Sequence, residues 1–319
     1  MSGKNLLKPP NWIPTFSRLT GLAWAARVVL TAGGLPAIGI FCNGGLGDDL
    51  MCTVVAHELK KRGTGKIWLF TTFPELAAGN SDLIAVPTDF RLRRLCKLLG
   101  VPCVEVGYPG KPPRHIIAMM CEAAGVKGEV ELRPRLMLSP DESHAGRVTA
   151  RPQIALQTSN LSARFPIRNK LWHPERMQAV ADALQDDFDL VQLGAASDPP
   201  LQGAFDLRGK TSVRQAAAVL AQSRLFIGLT SGLMHLARAV ECRSVIVYGG
   251  REHPHQSGYS ANENIHWEGP CAPCWERDAC DFDRRCMRDI QAGSVIAAAR
   301  RQLDRYGTPL VIDRAEAVA

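Results

Sequence analysis

The stretch Arg224 to Tyr248, R-L-F-I-G-L-T-S-G-L-M-H-L-A-R-A-V-E-C-R-S-V-I-V-Y, reads as strand, turn, helix, strand. Leu225, Phe226 and Ile227 form a short apolar run that ends at Gly228. Met234, Leu236, Ala237 and Val240 then recur at helical spacing before a second apolar run, Val245 to Tyr248. The turn between the first strand and the helix, Leu229-Thr230-Ser231-Gly232, places hydroxyls and a flexible backbone where the first helical N–H groups lack intrahelical partners. Such an end attracts anions through its exposed amides and the positive pole of the helix dipole. It is also what an ordinary capped helix in an α/β sheet looks like.

Working outward, the same alternation recurs on both sides. Ala37 to Cys42 is an apolar run before Asn43-Gly44-Gly45-Leu46-Gly47-Asp48-Asp49, after which Leu50, Val54 and Leu59 carry helical spacing to Lys60-Lys61-Arg62-Gly63. The glycine-rich loop is neither a dinucleotide fingerprint nor a P-loop. Its two acids would repel phosphate and suit a base that takes a proton from an alcohol. Strands are expected at Lys66–Thr71, Ile84–Val86 and Val101–Val106, and helices at Arg91–Leu99 and Arg114–Ala124. A second series runs through Gln153–Gln157, Pro174–Leu184, Phe188–Leu193 and Ser212–Gln222 to the opening stretch. This predicts two parallel, doubly wound sheets facing a cleft, with the break near Ala150 in a proline-bearing segment. The expected division is an N-terminal extension over residues 1–36, a first domain over 37–150 and a second over 151–319, which carries a cysteine-rich loop at 271–286 and a C-terminal helix.

The chain of 319 residues, 46% hydrophobic and 22% charged, is long enough for two such domains and has a globular composition. Its net charge of +7 is compatible with an anionic substrate or peripheral membrane contact, but the basic residues are scattered and no nucleic-acid motif is present. Lys4, Lys8 and early prolines precede any apolar run, and Leu19–Leu35 is broken by Arg27 and Gly33-Gly34, so neither a secretory signal nor a membrane span is expected. A cytoplasmic protein follows, with room for contact at the inner face of the membrane and for a homo-oligomer. Six of the ten cysteines lie singly in apolar or helical segments and are expected to be small core residues.

Three segments resemble glycosyltransferase family 9, which includes the bacterial lipopolysaccharide heptosyltransferases. Gly44 to Leu50 is similar to the family's Gly-Asp-Val loop, Asn169-Lys170-Leu171-Trp172-His173-Pro174 to its Lys-x-Trp-Pro segment, and Gly228 to Ala239 with Tyr248-Gly249-Gly250 to its Asp-Ser-Gly-x-x-His-Leu-Ala helix start and following glycine loop. The resemblance implies a GT-B fold of two Rossmann-like domains, acceptor on the first and sugar nucleotide on the second. It also implies inverting transfer from a nucleotide-diphosphate sugar, ADP-heptose as first guess, to a hydroxyl of a glycan, lipopolysaccharide or protein acceptor. Thr230 departs from the pattern by standing where the family has aspartate, and Asp49 by standing where valine is usual.

On this reading Asp48 is the general base, with Asp49 in reserve. Gly47, Lys170, Thr230, Ser231, Gly232, His235, Gly249 and Gly250 bind the substrates, Lys170 and the amides at Thr230–Gly232 meeting the departing phosphate charge. His235 either touches phosphates or acceptor, or is buried against the sheet and bonded to backbone. Trp172 is expected to pack. The spacing C-x2-C-x5-C-x5-C of Cys271, Cys274, Cys280 and Cys286 suits a closed tetrahedral zinc or iron site, with disulfides or unligated thiols as alternatives. Some family members carry a cysteine-rich insertion that holds iron. The transfer itself is expected to need no catalytic divalent cation. Two rival functions remain: a non-catalytic protein that binds nucleotides or sugar nucleotides, and a thiol-based metal sensor.

Overall fold

The computed structural model describes residues 18–318. The first sheet has the order β3-β2-β1-β4, built from β1 (Ile38–Phe41), β2 (Ile67–Thr71), β3 (Ile84–Pro87) and β4 (Cys103–Glu105), all parallel. After β5 (Gly128–Glu131), a second parallel sheet has the order β11-β10-β9-β6-β7-β8. Its strands are β6 (Gln153–Leu156), β7 (Asp189–Gln192), β8 (Phe205–Asp206), β9 (Ser223–Leu229), β10 (Ser244–Gly249) and β11 (Glu263–His266). The helices are α1 (Arg18–Thr31), α2 (Leu46–Lys61), α3 (Phe90–Leu98), α4 (Ile116–Ala123), α5 (Pro140–Ala145), α6 (Pro174–Asp182), α7 (Val213–Ala221), α8 (Gly232–Ala239), α9 (Pro254–Ser257), α10 (Arg285–Arg288) and α11 (Ala292–Asp304). Two Rossmann-like domains in the GT-B arrangement result.

The central strands β1, β2, β9 and β10 are largely apolar because both faces of each sheet are covered there. In β2, Ile67 and Leu69 join the central core while Trp68 and Phe70 point the other way, against Ala25 and Val28 of α1 and Leu92 and Cys96 of α3. In β9 and β10, Phe226, Ile246 and Tyr248 face the central core, whereas Leu225, Ile227, Val245 and Val247 face a second cluster that includes Val180 of α6 and Val295 and Ala298 of α11. Side chains two residues apart thus share a face, as pleating requires. The central core runs continuously from α2 and α4 of the first domain to α7 and α8 of the second, so the domains share packed apolar surface.

Within the expected extension over residues 1–36, α1 packs on the outer face of the first sheet; residues 1–17 lie outside the described residues. The end of the expected second domain also returns to the first, where β12 (Arg314–Ala317) pairs antiparallel with β5. The alternating strand R-A-E-A is too short and too polar to announce itself, and its partner is some 185 residues away in sequence.

Candidate functional site

A cleft of about 800 Å³ opens between the domains, lined by residues that follow β1, β4, β6, β7, β9 and β10. These are the carboxyl ends of parallel strands, where side chains leave the sheet and no ladder partner competes for them. Gly47, Asp48, Lys170, Thr230, Ser231, Gly232 and His235 all line it. Gly249 and Gly250 do not: a side chain at Gly249 would meet Met287, and one at Gly250 would meet Cys286, Trp267 and Ala272, so this turn is packed against the cysteine-rich loop.

The two adjacent acids separate. Asp48, in the first turn of α2, reaches the cleft and accepts a hydrogen bond at Oδ1 from the Tyr108 hydroxyl at 2.9 Å. Burial pushes its carboxyl up, opposed by hydrogen bonds from Asn43 and Tyr108 and by the charge of Lys170. Asp49 turns into the first domain, fully buried, where the Thr71 hydroxyl donates to Oδ2 at 2.6 Å and Oδ1 has no partner among the described residues. Burial raises its carboxyl to about 6. The helical turn itself makes this division, since neighbouring residues differ by about 100° around the helix axis.

Across the cleft stands the start of α8. Ser231 caps it in extended conformation without a side-chain cap bond, because its hydroxyl donates instead to Gln157 Oε1 at 2.7 Å. The first amides of α8 are therefore left for a ligand. The Thr230 hydroxyl is buried and unpartnered among the described residues. The N-terminal turns of α2 and α8 meet closely: a Cβ on Gly47 would lie 2.9 Å from His235 Cδ2 and 3.4 Å from Gly232 Cα. Glycine is required at that contact for want of space.

His235 is buried, with Nδ1 2.6 Å from the Tyr259 hydroxyl. Burial, followed by the Lys170 charge, lowers its pKa to about 3, so the ring is neutral at working pH. Of the two alternatives, it lines the cleft, and its partner is a side chain rather than backbone. A tyrosine that donates to Nδ1 leaves Nε2–H as a donor.

Lys170 is ion-paired with the buried Glu252, whose carboxylate also pairs with Arg251 and accepts from the Ser257 hydroxyl at 2.9 Å. Burial would raise Glu252, but the Lys170 and Arg251 charges and hydrogen bonds from Lys170 and Ser257 bring it below its ordinary value. Sequence reading did not single out Glu252, Arg251 or Tyr108. The available signal was position: Arg251-Glu252 directly follows Tyr248-Gly249-Gly250 at a strand end, and Tyr108 lies just beyond β4. Arg164 and Arg277, also lining the cleft, flank the Phe165 ring with guanidinium carbons 5.7 and 6.0 Å from its centroid. Trp172 packs as expected, buried with Nε1 donating to the Ile290 carbonyl at 3.1 Å.

Cys271, Cys274, Cys280 and Cys286 are free thiols on one loop, half-buried except for the exposed Cys280. Burial raises the Cys286 thiol; the backbone of Gly250 opposes this, and the other three cysteines reinforce it. The backbone amide of Arg284 donates to the Cys280 sulfur at 3.2 Å, as expected around a thiolate-bound ion. The donor set fits a soft or borderline metal, although the sulfurs are not drawn into one compact set. Between Cys274 and Cys280, Trp275 meets the Tyr108 ring edge-on at 6.4 Å.

The sequence profile of glycosyltransferase family 9 (heptosyltransferase) matches residues 117–281, just over half of the chain. Lipopolysaccharide heptosyltransferase 3 of Escherichia coli is 28% identical over 150 residues, which are 42% of this chain and 43% of that protein. Lipooligosaccharide heptosyltransferase 2 of Campylobacter jejuni is 29% identical over 101 residues, 31% of each chain. The matched stretch is thus less than half the length of these relatives. Among solved structures, the iron-containing dodecameric glycosyltransferase TibC from enterotoxigenic E. coli superposes with TM-score 0.66 at 20% identity, covering 85% of this chain and 76% of TibC. E. coli ADP-heptose LPS heptosyltransferase II does so with TM-score 0.63 at 16% identity, covering 84% of this chain and 98% of that enzyme. At such identities the likeness establishes the fold.

Proposed function

The chain belongs to glycosyltransferase family 9, and on that premise we propose that it transfers a sugar, with inversion, from a nucleotide-diphosphate sugar to an acceptor hydroxyl. ADP-heptose is the proposed donor, because the matched relatives are heptosyltransferases and TibC has been seen with ADP-D-β-D-heptose. The proposed acceptor is a hydroxyl of a lipopolysaccharide-type glycan, in keeping with the names of those relatives.

The observation that carries the reading is the confrontation of Asp48, from the first domain, with the α8 N-terminus and Lys170, from the second, in one cleft. Asp48 takes the proton of the acceptor hydroxyl as the acceptor oxygen bonds to the anomeric carbon. The bond from that carbon to the diphosphate oxygen breaks, and the nucleotide diphosphate leaves with the electron pair. The elevated pKa of Asp48 makes it a better proton acceptor, while the Tyr108 hydrogen bond orients it. The leaving charge is met by Lys170, by the α8 amides from Ser231 onward and by the His235 Nε2–H donor. The loop of Cys271, Cys274, Cys280 and Cys286 would hold zinc or iron as a structural brace, four thiolates leaving no open position for substrate.

The test is nucleotide release from ADP-heptose with lipopolysaccharide core acceptors, compared with UDP-, GDP- and CMP-sugars. Release that requires both donor and acceptor supports the proposal. Tight donor binding with no release under any pairing would favour the non-catalytic binding role, for which the replacement of the family's aspartate by Thr230 is the specific argument.

A further inference from the structure

We propose that His253, His266 and Glu268 form a second metal site, separate from the cysteine loop, that takes a borderline divalent transition ion such as Zn²⁺. Among the described residues, a ring nitrogen of each histidine and a carboxylate oxygen of Glu268 lie within 4.8 Å of one another. His253 precedes α9; His266 ends β11, and Glu268 follows two residues later. A tetrahedral Zn²⁺ with bonds of about 2.0–2.1 Å sets its ligands about 3.3 Å apart. Rotation of side chains at the rim suffices to close that gap, because Glu268 is exposed.

An ordinary ion pair does not account for the arrangement. His266 Nε2 lies 3.3 Å from Glu268 Oε1, which would satisfy those two residues alone. Two further imidazoles crowd against them, with ring centroids 4.8 Å apart for His253 and His266 and 4.4 Å for His253 and His255. Imidazoles set this close together can turn their ring nitrogens toward a shared cation. His253 Nδ1 lies 2.6 Å from His255 Nδ1 and accepts from the His255 backbone N–H at 3.2 Å, so His255 orients the His253 ring. The His266 Nδ1 faces the Asn264 carbonyl at 3.5 Å, the same orienting device in looser form. Two imidazoles and one carboxylate select Zn²⁺, Ni²⁺, Co²⁺ or Cu²⁺ over the all-oxygen preference of Mg²⁺ and Ca²⁺.

Placement gives the site a consequence. His253, Glu268 and Glu252 line a hollow of about 240 Å³ with Trp267, Gly269, Ala272 and Pro273. Glu252 also lines the main cleft, where it pairs with Lys170. An ion here ties the start of α9 to the end of β11 and fixes the backbone on which Glu252 sits.

The full-length protein, stripped with chelator and reloaded, is titrated with Zn²⁺ alone and then with Co²⁺. The wild type should bind one more equivalent of Zn²⁺ than the double variant His266→Ala/Glu268→Gln. Co²⁺ at this site should give visible d–d bands without the near-ultraviolet thiolate charge-transfer band, and those bands should persist in Cys274→Ser. Equal Zn²⁺ stoichiometry and affinity in wild type and double variant, with unchanged circular dichroism, overturns the proposal. So does Co²⁺ absorption that vanishes entirely with Cys274→Ser. A second pair, His253→Ala and His255→Ala, guards against misfolding in the first: loss of the equivalent in His253→Ala supports the site, and its retention there refutes it.

Discussion

Asp49→Asn tests the division of labour between the two adjacent acids by a route independent of activity. Asp49 is fully buried and its pKa is raised from 3.8 to about 6, chiefly by burial. Because the folded protein holds this proton more tightly than the unfolded chain, the group's contribution is fully present below pH 3.8 and is lost as pH rises through the window to about 6. A gap of about two pH units corresponds to about 3 kcal/mol, of which about 2–3 kcal/mol falls between pH 4 and pH 8. Asparagine has no such titration. Its constant cost, an amide N–H₂ placed where Oδ1 has no partner, is the same at both pH values and cancels in the comparison. Urea denaturation at pH 4 and pH 8 should therefore show the variant gaining about 2–3 kcal/mol on the wild type across the interval. Turnover should stay within a few-fold of wild type, since Asp49 does not line the cleft. Parallel stability curves would show that the buried acid is not the titrating group, and loss of turnover would move the base from Asp48 to Asp49.

Asp48→Asn should keep the fold and donor binding but reduce turnover by about 10²- to 10⁴-fold; turnover equal to wild type sinks the base assignment. Lys170→Ala removes one of two cations from Glu252, so donor affinity should fall by about 1.5–3 kcal/mol, and calorimetric binding that is unchanged in a folded variant contradicts the phosphate role. Gly47→Ala forces a methyl to 2.9 Å from His235 and should cost about 1–3 kcal/mol of stability, with reduced turnover; a neutral result would mean that the two helix ends do not meet as described. Cys274→Ser should lose the thiolate-bound metal, lower the melting temperature and reduce turnover, and elemental analysis showing full metal retention refutes the ligand assignment.

The strands and the helix-start loops were legible because parallel sheets write continuous apolar runs, and the loops that follow them carry glycine, hydroxyls and acids at positions no core could use. Asp48, Ser231 and His235 could be placed at one cleft on that basis, since each lies just beyond a strand or at a helix start, whereas Lys170 was reached only through the family resemblance of its segment. What was not legible is long-range pairing. Nothing local to Glu252 says that Lys170 will reach it from another loop, and nothing in Tyr108-Pro109-Gly110 announces a hydrogen bond to an acid sixty residues earlier. Gly249 and Gly250 show the complementary limit: a glycine pair after a strand signals close approach without saying of what, and here Met287 and the cysteine loop come close.

The cysteine-rich loop, which sequence alone sets apart as a separate structural element, is wired into the cleft at several points. The Asn169 side chain donates to the carbonyls of Glu276 at 3.2 Å and Ala279 at 2.9 Å, and accepts from Arg284 Nε at 3.0 Å. Asn169 adjoins Lys170, so the loop sets where that lysine starts from. Arg251 Nε donates to the Glu276 carbonyl at 2.9 Å and its guanidinium lies 4.8 Å from the Trp275 ring centroid, while Trp275 Nε1 donates to Gln256 at 2.9 Å. The same indole meets Tyr108, the residue that hydrogen-bonds Asp48. Four residues of the loop thus touch the immediate neighbours of the acid on one wall and the lysine on the other. A segment with so little regular structure has few apolar contacts of its own to hold these positions against chain entropy, which costs about 1–2 kcal/mol per ordered residue. Cross-linking by a thiolate-bound ion is the kind of local constraint that offsets such a cost. On the proposed reading, an ion held by these four cysteines would act on the reaction only through geometry, by keeping Tyr108 and Lys170 at their stations beside Asp48 and the helix start.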